Sequence, residues 1–420
     1  MSAAYPIRPI SDGEFPAYYA VIEHAFNATY PTDPELQHDR IVFEFDRSLA
    51  ALDGPDMVGT AAALTFRMTV PGGTVAMAGV TAVSVLPSYR RRGILSSLMR
   101  RLLADARDRG EAVAALFASE AGIYGRYGFG IATAELDLTI RRGEGVMLTD
   151  EGAPGRAPRL RMAEPQDAVP ELAKVFDVIL PSRPGMLARD DRWWDYVLWD
   201  PEHRRSGSSP LRGVIAEDET GPRGYALFSG KPDWDDHGIP SGTLQVSELM
   251  ATDPAAYSAI WNDLLTRDLV REVRARVRPA DEPLLYLLAD RRRARPVLLD
   301  GLWVRLVSVE KALMQRSYAC AVDVVIEVAD DLFAENAGRW RLRAPDPEGA
   351  AAAAPASCER TSAPADLALP VRALGAAYLG GTRLGALAGA GQVTELRPGA
   401  LAALSTAMSW DPAPWCTTGF

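Results

Sequence analysis

Two hydrophobic periods alternate along this chain, and the switches between them divide it into blocks. Around residues 57–87 apolar and polar positions alternate in two runs separated by Pro71-Gly72-Gly73, which predicts antiparallel strands joined by a turn. Beyond the strand that ends at Val85 the period lengthens. Ile94, Leu95, Leu98, Met99, Leu102 and Leu103 fall on one face of a helix that Gly110 ends, the pattern of a helix packed on a sheet. Another strand follows in "AVAALFAS", then a loop and "IYGRYGFG". Upstream, "PIRPI" reads as a short strand. Ser11 and Glu14 form a capping box for a helix running to Phe26.

Residues 140–160 are rich in Gly, Pro and charge and read as a linker. The second block opens at "LRMAEPQDAVPELAKVF" and carries an aromatic-rich helix, "DRWWDYVLWD". Strands follow at "GVIAE" and "GYALFSG". Its last part, "LQVSELMAT", then a helix, then "EVRARV", repeats the strand–helix–strand order of the first block. The first copy has "SYRRRG" before its helix and the second has "DPAAY". A duplicated fold is expected, with the anion-binding loop lost from the second copy. From Gly301 onward a third block offers strands at "AVDVVIEVAD" and "GRWRLRA" and helices around Gly380-Gly381. Between them the Ala/Pro-rich stretch 345–366 lacks a periodic face and is expected to be an exposed loop.

Composition narrows the class. At 48% hydrophobic and 24% charged, the 420 residues have ample core for about three domains. No apolar run is long enough to cross a membrane, and the first residues lack the apolar stretch of a signal peptide. A net charge of −10 argues against nucleic acid as the main partner. Three dispersed cysteines suit a reducing, cytoplasmic compartment, and four scattered histidines make no metal-ligand spacing, so no metal is expected.

The chemistry concentrates between the strand ending at Val85 and the helix starting at Ile94. A helix's first amides have no intrahelical partner and stand at the positive end of its dipole. Gly93 lets a ligand approach the backbone, and Arg90, Arg91 and Arg92 add charge. The stretch is therefore a candidate pyrophosphate cradle. This arrangement resembles the acetyl-CoA loop of the GNAT acetyltransferases, Gln/Arg-x-x-Gly-x-Gly/Ala. Arg90 and Gly93 match, while Leu95 departs from the last small position, as it does in the Eis branch of that superfamily. "ASEAGIYGRYGFG", the three-block length, the degenerate middle block, "YLGG" and the aromatic last residue also resemble Eis proteins.

That resemblance implies an α+β fold of two tandem GNAT domains, the second degenerate, plus a sterol-carrier-like α/β domain. The expected boundaries are 1–145, 155–298 and 299–420. It implies acetyl transfer from acetyl-CoA to aminoglycoside-like, lysine or polyamine acceptors, and a homohexamer built as a trimer of dimers. By position, Val83, Ser84 and Val85 would pair with the pantetheine, and Arg91, Arg92, Gly93, Ile94, Leu95 and Ser96 would hold the pyrophosphate. Ser119 and Glu120 would flank the acyl arm. Tyr124, at the spacing of the GNAT Tyr-x-x-x-Gly-Phe pattern, would protonate the leaving thiolate, with Tyr127 as rival. For the general base the resemblance points to the α-carboxylate of Phe420, with Glu23 and Glu120 as alternatives within the first block. Gly419 brings no charge beside it. Trp193, Trp194 and Trp199 are read as core rather than as a cage for cations. The competing class is a non-catalytic carrier of acyl-CoA or an apolar ligand. An enzyme using another acyl donor, such as propionyl-CoA, also remains open.

Overall fold

A computed structural model describes residues 5–147, 158–346 and 355–420. The first block runs β1 (Ile7–Pro9), α1 (Phe15–Phe26), α2 (Asp33–Arg40), β2 (Ser48–Asp53), β3 (Asp56–Val70) and β4 (Gly73–Val85). It continues with α3 (Ile94–Asp108), β5 (Val113–Phe117), α4 (Ala121–Tyr124), β6 (Gly130–Ile131) and β7 (Ala134–Arg141). The Ser11/Glu14 box forms, with the Glu14 carboxylate accepting from Ser11 N at 2.8 Å. It caps a single 3₁₀ turn that leads into α1. The second block runs β8 (Arg159–Ala163), α5 (Val169–Ile179), α6 (Asp191–Leu198), β9 (Arg212–Asp218), β10 (Gly221–Lys231), β11 (Gly242–Ala251), α7 (Pro254–Thr266), β12 (Val270–Pro279), β13 (Val297–Asp300) and β14 (Leu302–Leu306). The third supplies β15 (Val322–Ala329), β16 (Gly338–Ala344), β17 (Ser357–Arg360), β18 (Leu367–Pro370) and β19 (Thr394–Glu395), with helices at Val371–Ala377 and Ala400–Met408.

Three sheets result, ordered β1-β2-β3-β4-β5-β14-β6, β13-β7-β12-β11-β10-β9-β8 and β17-β16-β15-β18-β19. The first two are the same arrangement twice, and each is completed by a strand from the other's stretch of sequence. β14 lies between β5 and β6, and β7 lies between β12 and β13. The boundaries expected from sequence put β7 in the first GNAT domain (1–145) and β14 in the sterol-carrier-like domain (299–420), whereas β7 pairs in the second sheet and β14 in the first. Local pattern cannot locate a strand whose hydrogen-bond partners lie far along the chain, and both strands follow a plausible neighbour in their own block. Backbone contacts accordingly group residues 1–132, 302–411 and 419–420 into one compact unit, and 133–301 with 412–418 into another.

In the first unit α3 lays Leu98, Met99, Leu102, Leu103 and Ala106 against the apolar face of β2–β4. In the second, Ile260, Trp261 and Leu264 of α7 do the same on β9–β11. Within the stretch read as an exposed loop, Ser357–Arg360 pairs with β16 as an edge strand. Only Cys358 of its four residues is buried, so no alternation announces it. Residues 347–354 of that stretch and 148–157 of the 140–160 linker lie outside the described residues. At the edge of the second sheet all four residues of β13 are exposed. No helix among the described residues is long and apolar enough to cross a membrane.

Candidate active site

β4 and β5 run parallel but pair only from Met77 to Gly79, opposite Val113 to Ala115. Past Gly79 they part. β5 continues against β14, and β4 continues against β3 alone. The parting is built into β4. Ala82 takes a left-handed backbone (φ 52) at the point where the β3–β4 register slips. Such a conformation is uncommon for a residue with a side chain. It is held by Thr60, whose hydroxyl donates to Ala82 O at 2.7 Å and lies 2.6 Å from Ser84 Oγ. Val83–Val85 therefore line one side of a wedge. Their backbone groups on that side have no β5 partner, which suits pairing with an amide-bearing ligand. Ser84 turns its side chain inward and offers backbone only.

The wedge opens onto the cradle. Arg90, Arg91, Arg92 and Gly93 are exposed. Arg91 (φ 63) and Gly93 (φ 83) are both left-handed around Arg92, a winding that turns successive amides toward one point. Gly93 is the N-cap of α3 and supplies no side-chain cap, so the helix's leading amides are left for a ligand. A β-carbon on Gly93 would meet nothing within 4 Å, so only the backbone angle asks for glycine there. Ile94 is buried and contributes its amide alone, whereas Leu95 and Ser96 are half-buried. Arg92 is already engaged, donating to Tyr5 Oη at 3.1 Å and Ser88 O at 3.0 Å while lying 4.8 Å over the Tyr89 ring. Arg91 faces solvent and stands at the cradle's mouth.

On the far side of the wedge the chain leaves β5 through Ser119 and Glu120, both exposed, and enters α4. Tyr124 and Tyr127 share one core with Val58, Ile94 and Leu98. Their hydroxyls have different partners. Tyr127 Oη is 3.1 Å from Ser96 Oγ on the first turn of α3. Tyr124 hydrogen-bonds Ser119, and burial pushes its hydroxyl above the ordinary tyrosine range against that bond. Tyr124 is thus protonated at neutral pH and able to donate. The turn holding both tyrosines is clamped from β14. Arg305 donates from Nη1 to Tyr127 O at 2.6 Å and from Nη2 to Asp330 at 2.7 Å, with both side chains of the pair buried. Gly128 (φ 83) is obligatory beneath it, since a β-carbon there would lie 1.7 Å from Arg305 Nη1.

Phe420 lies at the vertex of the wedge. Its ring packs on Phe66 of β3 at 4.9 Å and on Phe117, the last residue of β5, at 5.3 Å between centroids. A β-carbon on Gly79, the last β4 residue paired to β5, would come within 3.1 Å of the Phe420 ring. Of the alternative bases, Glu120 is exposed. Glu23 on α1 has its pKa pushed up by burial and by Glu35 and Asp39 on α2.

The second copy has the same parting, with β11 paired to β12 only from Gly242 to Val246. Its helix end is closed, however. Asp253 caps α7 by accepting from Ala256 N at 2.9 Å, placing a carboxylate where the first copy keeps bare amides. Trp193 and Trp194 of α6 are buried, consistent with core. Among the described residues, no cluster of three or more His, Cys, Asp or Glu could hold a metal ion. Sequence reasoning missed Arg305 and also Arg189, a fully buried arginine in the second unit. Neither stands in a motif. For Arg305 the one signal is a lone arginine among apolar neighbours, and Arg189, followed by Asp190 and Asp191, has none.

Comparison with known proteins gives the family. Residues 6–132 and 185–306 each match an acetyltransferase (GNAT) domain model, and residues 309–417 match a sterol carrier protein domain. An uncharacterized N-acetyltransferase of Streptomyces avermitilis is 44% identical over 99% of both chains. N-acetyltransferase Eis of Mycobacterium tuberculosis is 33% identical over 85% of this chain and 84% of its own. The crystal structure of Eis1 from Mycobacterium abscessus superposes with a TM-score of 0.81 at 31% identity, covering 99% of this chain and 100% of that one. Two GNAT domains, one with an open cradle, followed by a sterol-carrier domain, place the chain among the Eis-type GNAT N-acetyltransferases, the family to which it belongs.

Proposed function

We propose that this N-acetyltransferase transfers acetyl from acetyl-CoA to primary amines of aminoglycoside, lysine or polyamine type by direct attack. Tyr124 serves as general acid and the α-carboxylate of Phe420 as general base. The observation that carries the reading is the seat of Phe420 at the vertex where β4 and β5 part. Its ring is an anchor, and that residue also carries an α-carboxylate, a group whose free form is ionised at neutral pH because it titrates at about 3.5. The amine nitrogen gives a proton to that carboxylate and forms the C–N bond to the thioester carbon. The C–S bond breaks, and Tyr124 delivers its proton to the departing sulfur. The products are the amide and free CoA thiol. Val83–Val85 and the cradle from Arg91 to Ser96 hold the cofactor, and Ser119 and Glu120 flank the acyl arm.

The test is thiol release against a panel of aminoglycosides, polyamines and lysine peptides, with the untagged protein and with a version carrying a few residues added after Phe420. Loss of at least about 100-fold in kcat on extension, with acetyl-CoA binding unchanged, is expected for removal of a general base. Equal turnover in both would sink the carboxylate and return the role to Glu23 or Glu120. Cofactor binding without turnover on any amine would favour the carrier reading. A homohexamer in the cytoplasm belongs to the same proposal. It is supported by the exposed apolar edge strand β13, with Leu298 at 66% exposure, and by the free cysteines.

A further inference from the structure

Residues 124–129 form a closed turn. Gly128 N donates to Gly125 O at 3.1 Å, and Phe129 N donates to Tyr124 O at 3.3 Å. The Tyr124 and Phe129 rings meet edge-on at 6.3 Å between centroids. These internal bonds fix the shape of the turn but not its place, and the Tyr124 hydroxyl goes where the turn goes. Its place is set from outside. β6 follows it directly and pairs with Val304 and Trp303 of β14. The next β14 residue is Arg305, whose Nη1 holds Tyr127 O at 2.6 Å. Helix Val371–Ala377 packs on both β14 and β6.

Arg305 can place the turn only if it is itself fixed. Its Nη2 donates at 2.7 Å to Asp330, the residue after β15. Asp330 is tied down in turn. Its Oδ1 accepts from Leu332 N at 3.0 Å and Phe333 N at 3.2 Å, and its Oδ2 accepts from Asn336 Nδ2 at 3.0 Å. Asn336 bonds back to the chain leaving β14, accepting from Val309 N at 3.1 Å and donating to Val307 O at 3.2 Å. The Phe333 ring lies 5.1 Å from the Arg305 guanidinium and 4.0 Å from that of Arg107, on the last turn of α3. All of these residues belong to the first compact unit. A buried ion pair contributes little net stability over apolar packing of the same volume. What this one supplies is direction, since a guanidinium is a planar fork that bonds two acceptors at set angles.

We infer that Arg305 and Asp330 are positioning residues for the general acid. Together they fix the turn 124–129 and through it the Tyr124 hydroxyl. The sterol-carrier block, which supplies Asp330, is thereby a working part of the acetyltransferase site. This rests on the Tyr124 reading above. Arg305→Lys keeps the charge and removes the fork. Asp330→Asn keeps an oxygen for the amides of Leu332 and Phe333 and removes the carboxylate that Arg305 meets. Tyr124→Phe keeps the ring and removes the hydroxyl.

Steady-state kinetics of the full chain, with acetyl-CoA and the fastest amine of the panel above, test the inference. Tyr124→Phe is expected to lower kcat at least about 100-fold. Arg305→Lys and Asp330→Asn each lower it about 10- to 100-fold, the scale of an ångström-sized misplacement, and leave the KM for acetyl-CoA at the parent value. Added to Tyr124→Phe, neither lowers kcat further, since the group they place is gone. Where Arg305→Lys does not fold, Asp330→Asn carries the same comparison. Variants that melt lower but keep the parent kcat would overturn the positioning role alone. So would variants that slow the Tyr124→Phe enzyme as much as they slow the parent. A parent-like kcat in Tyr124→Phe would overturn the acid reading and the positioning role with it.

Discussion

Glu135 on β7 is a carboxylate that folding leaves short of partners. It is 8% exposed, and its Oε1 has no hydrogen-bond partner among the described residues. Burial, then the charges of Asp137 and Asp300, push its pKa up to about 7. An acid held above its ordinary value keeps its proton in the fold while the unfolded chain releases it. Stability therefore falls as pH rises from about 4.5 to about 7 and is level beyond, a loss of roughly 3 kcal/mol from this group. Glu135→Gln should flatten that slope, leaving stability at pH 5 near the parent and raising it at pH 8. Melting curves at four pH values that run parallel for the two proteins would reject the assignment. Single residues of this sort were illegible in the sequence. Arg189 meets Glu248 and Thr418 across separations of 59 and 229 positions, and Arg305 meets Tyr127 across 178. No local spacing encodes such pairs, because the partners are chosen by how the sheets assemble.

At the scale of elements, α3 and α7 start from equivalent places and differ in one cap. Gly93 leaves the amides of α3 open, and Asp253 closes those of α7 with its own side chain. Gly93→Asp should therefore convert the first copy toward the second, since aspartate tolerates a left-handed backbone better than most residues. The expected result is acetyl-CoA binding weakened at least about tenfold, with the melting temperature kept, because a carboxylate would both fill the cradle and repel phosphate. Unchanged cofactor affinity by titration calorimetry would show that the cradle is elsewhere. This element was legible, since strand, loop and helix are consecutive in sequence and each follows from local pattern. The wedge was legible only in outline. The strand before the cradle was read from its alternation, but its parting from β5 depends on the bulge at Ala82 and the Thr60 hydroxyl on another strand.

For the whole molecule, the exchange of β7 and β14 means that neither GNAT sheet is made from a contiguous stretch. Residues 1–145 expressed alone would carry β7 without β12 or β13 and would lack both β14 and Arg305. They should yield a poorly dispersed NMR spectrum, and a well-dispersed one would contradict the topology. The duplication could be read from repetition along the chain, and the kinds of domain only from the resemblance carried by the motifs. The sheet that β7 and β14 each join could not, because both look like ordinary continuations of the blocks in which they occur.

The exchange also sets a clock. Ala115 of β5 pairs with Val304, 189 positions further on. At about 5–20 residues per second on a ribosome, β5 waits roughly ten to forty seconds for that neighbour to be made. During that interval its edge is an unpaired apolar strand of the kind that recruits other chains. The nascent protein thus passes through a window in which holdase chaperones, or slow codons placed after residue 306, decide between a completed sheet and an aggregate.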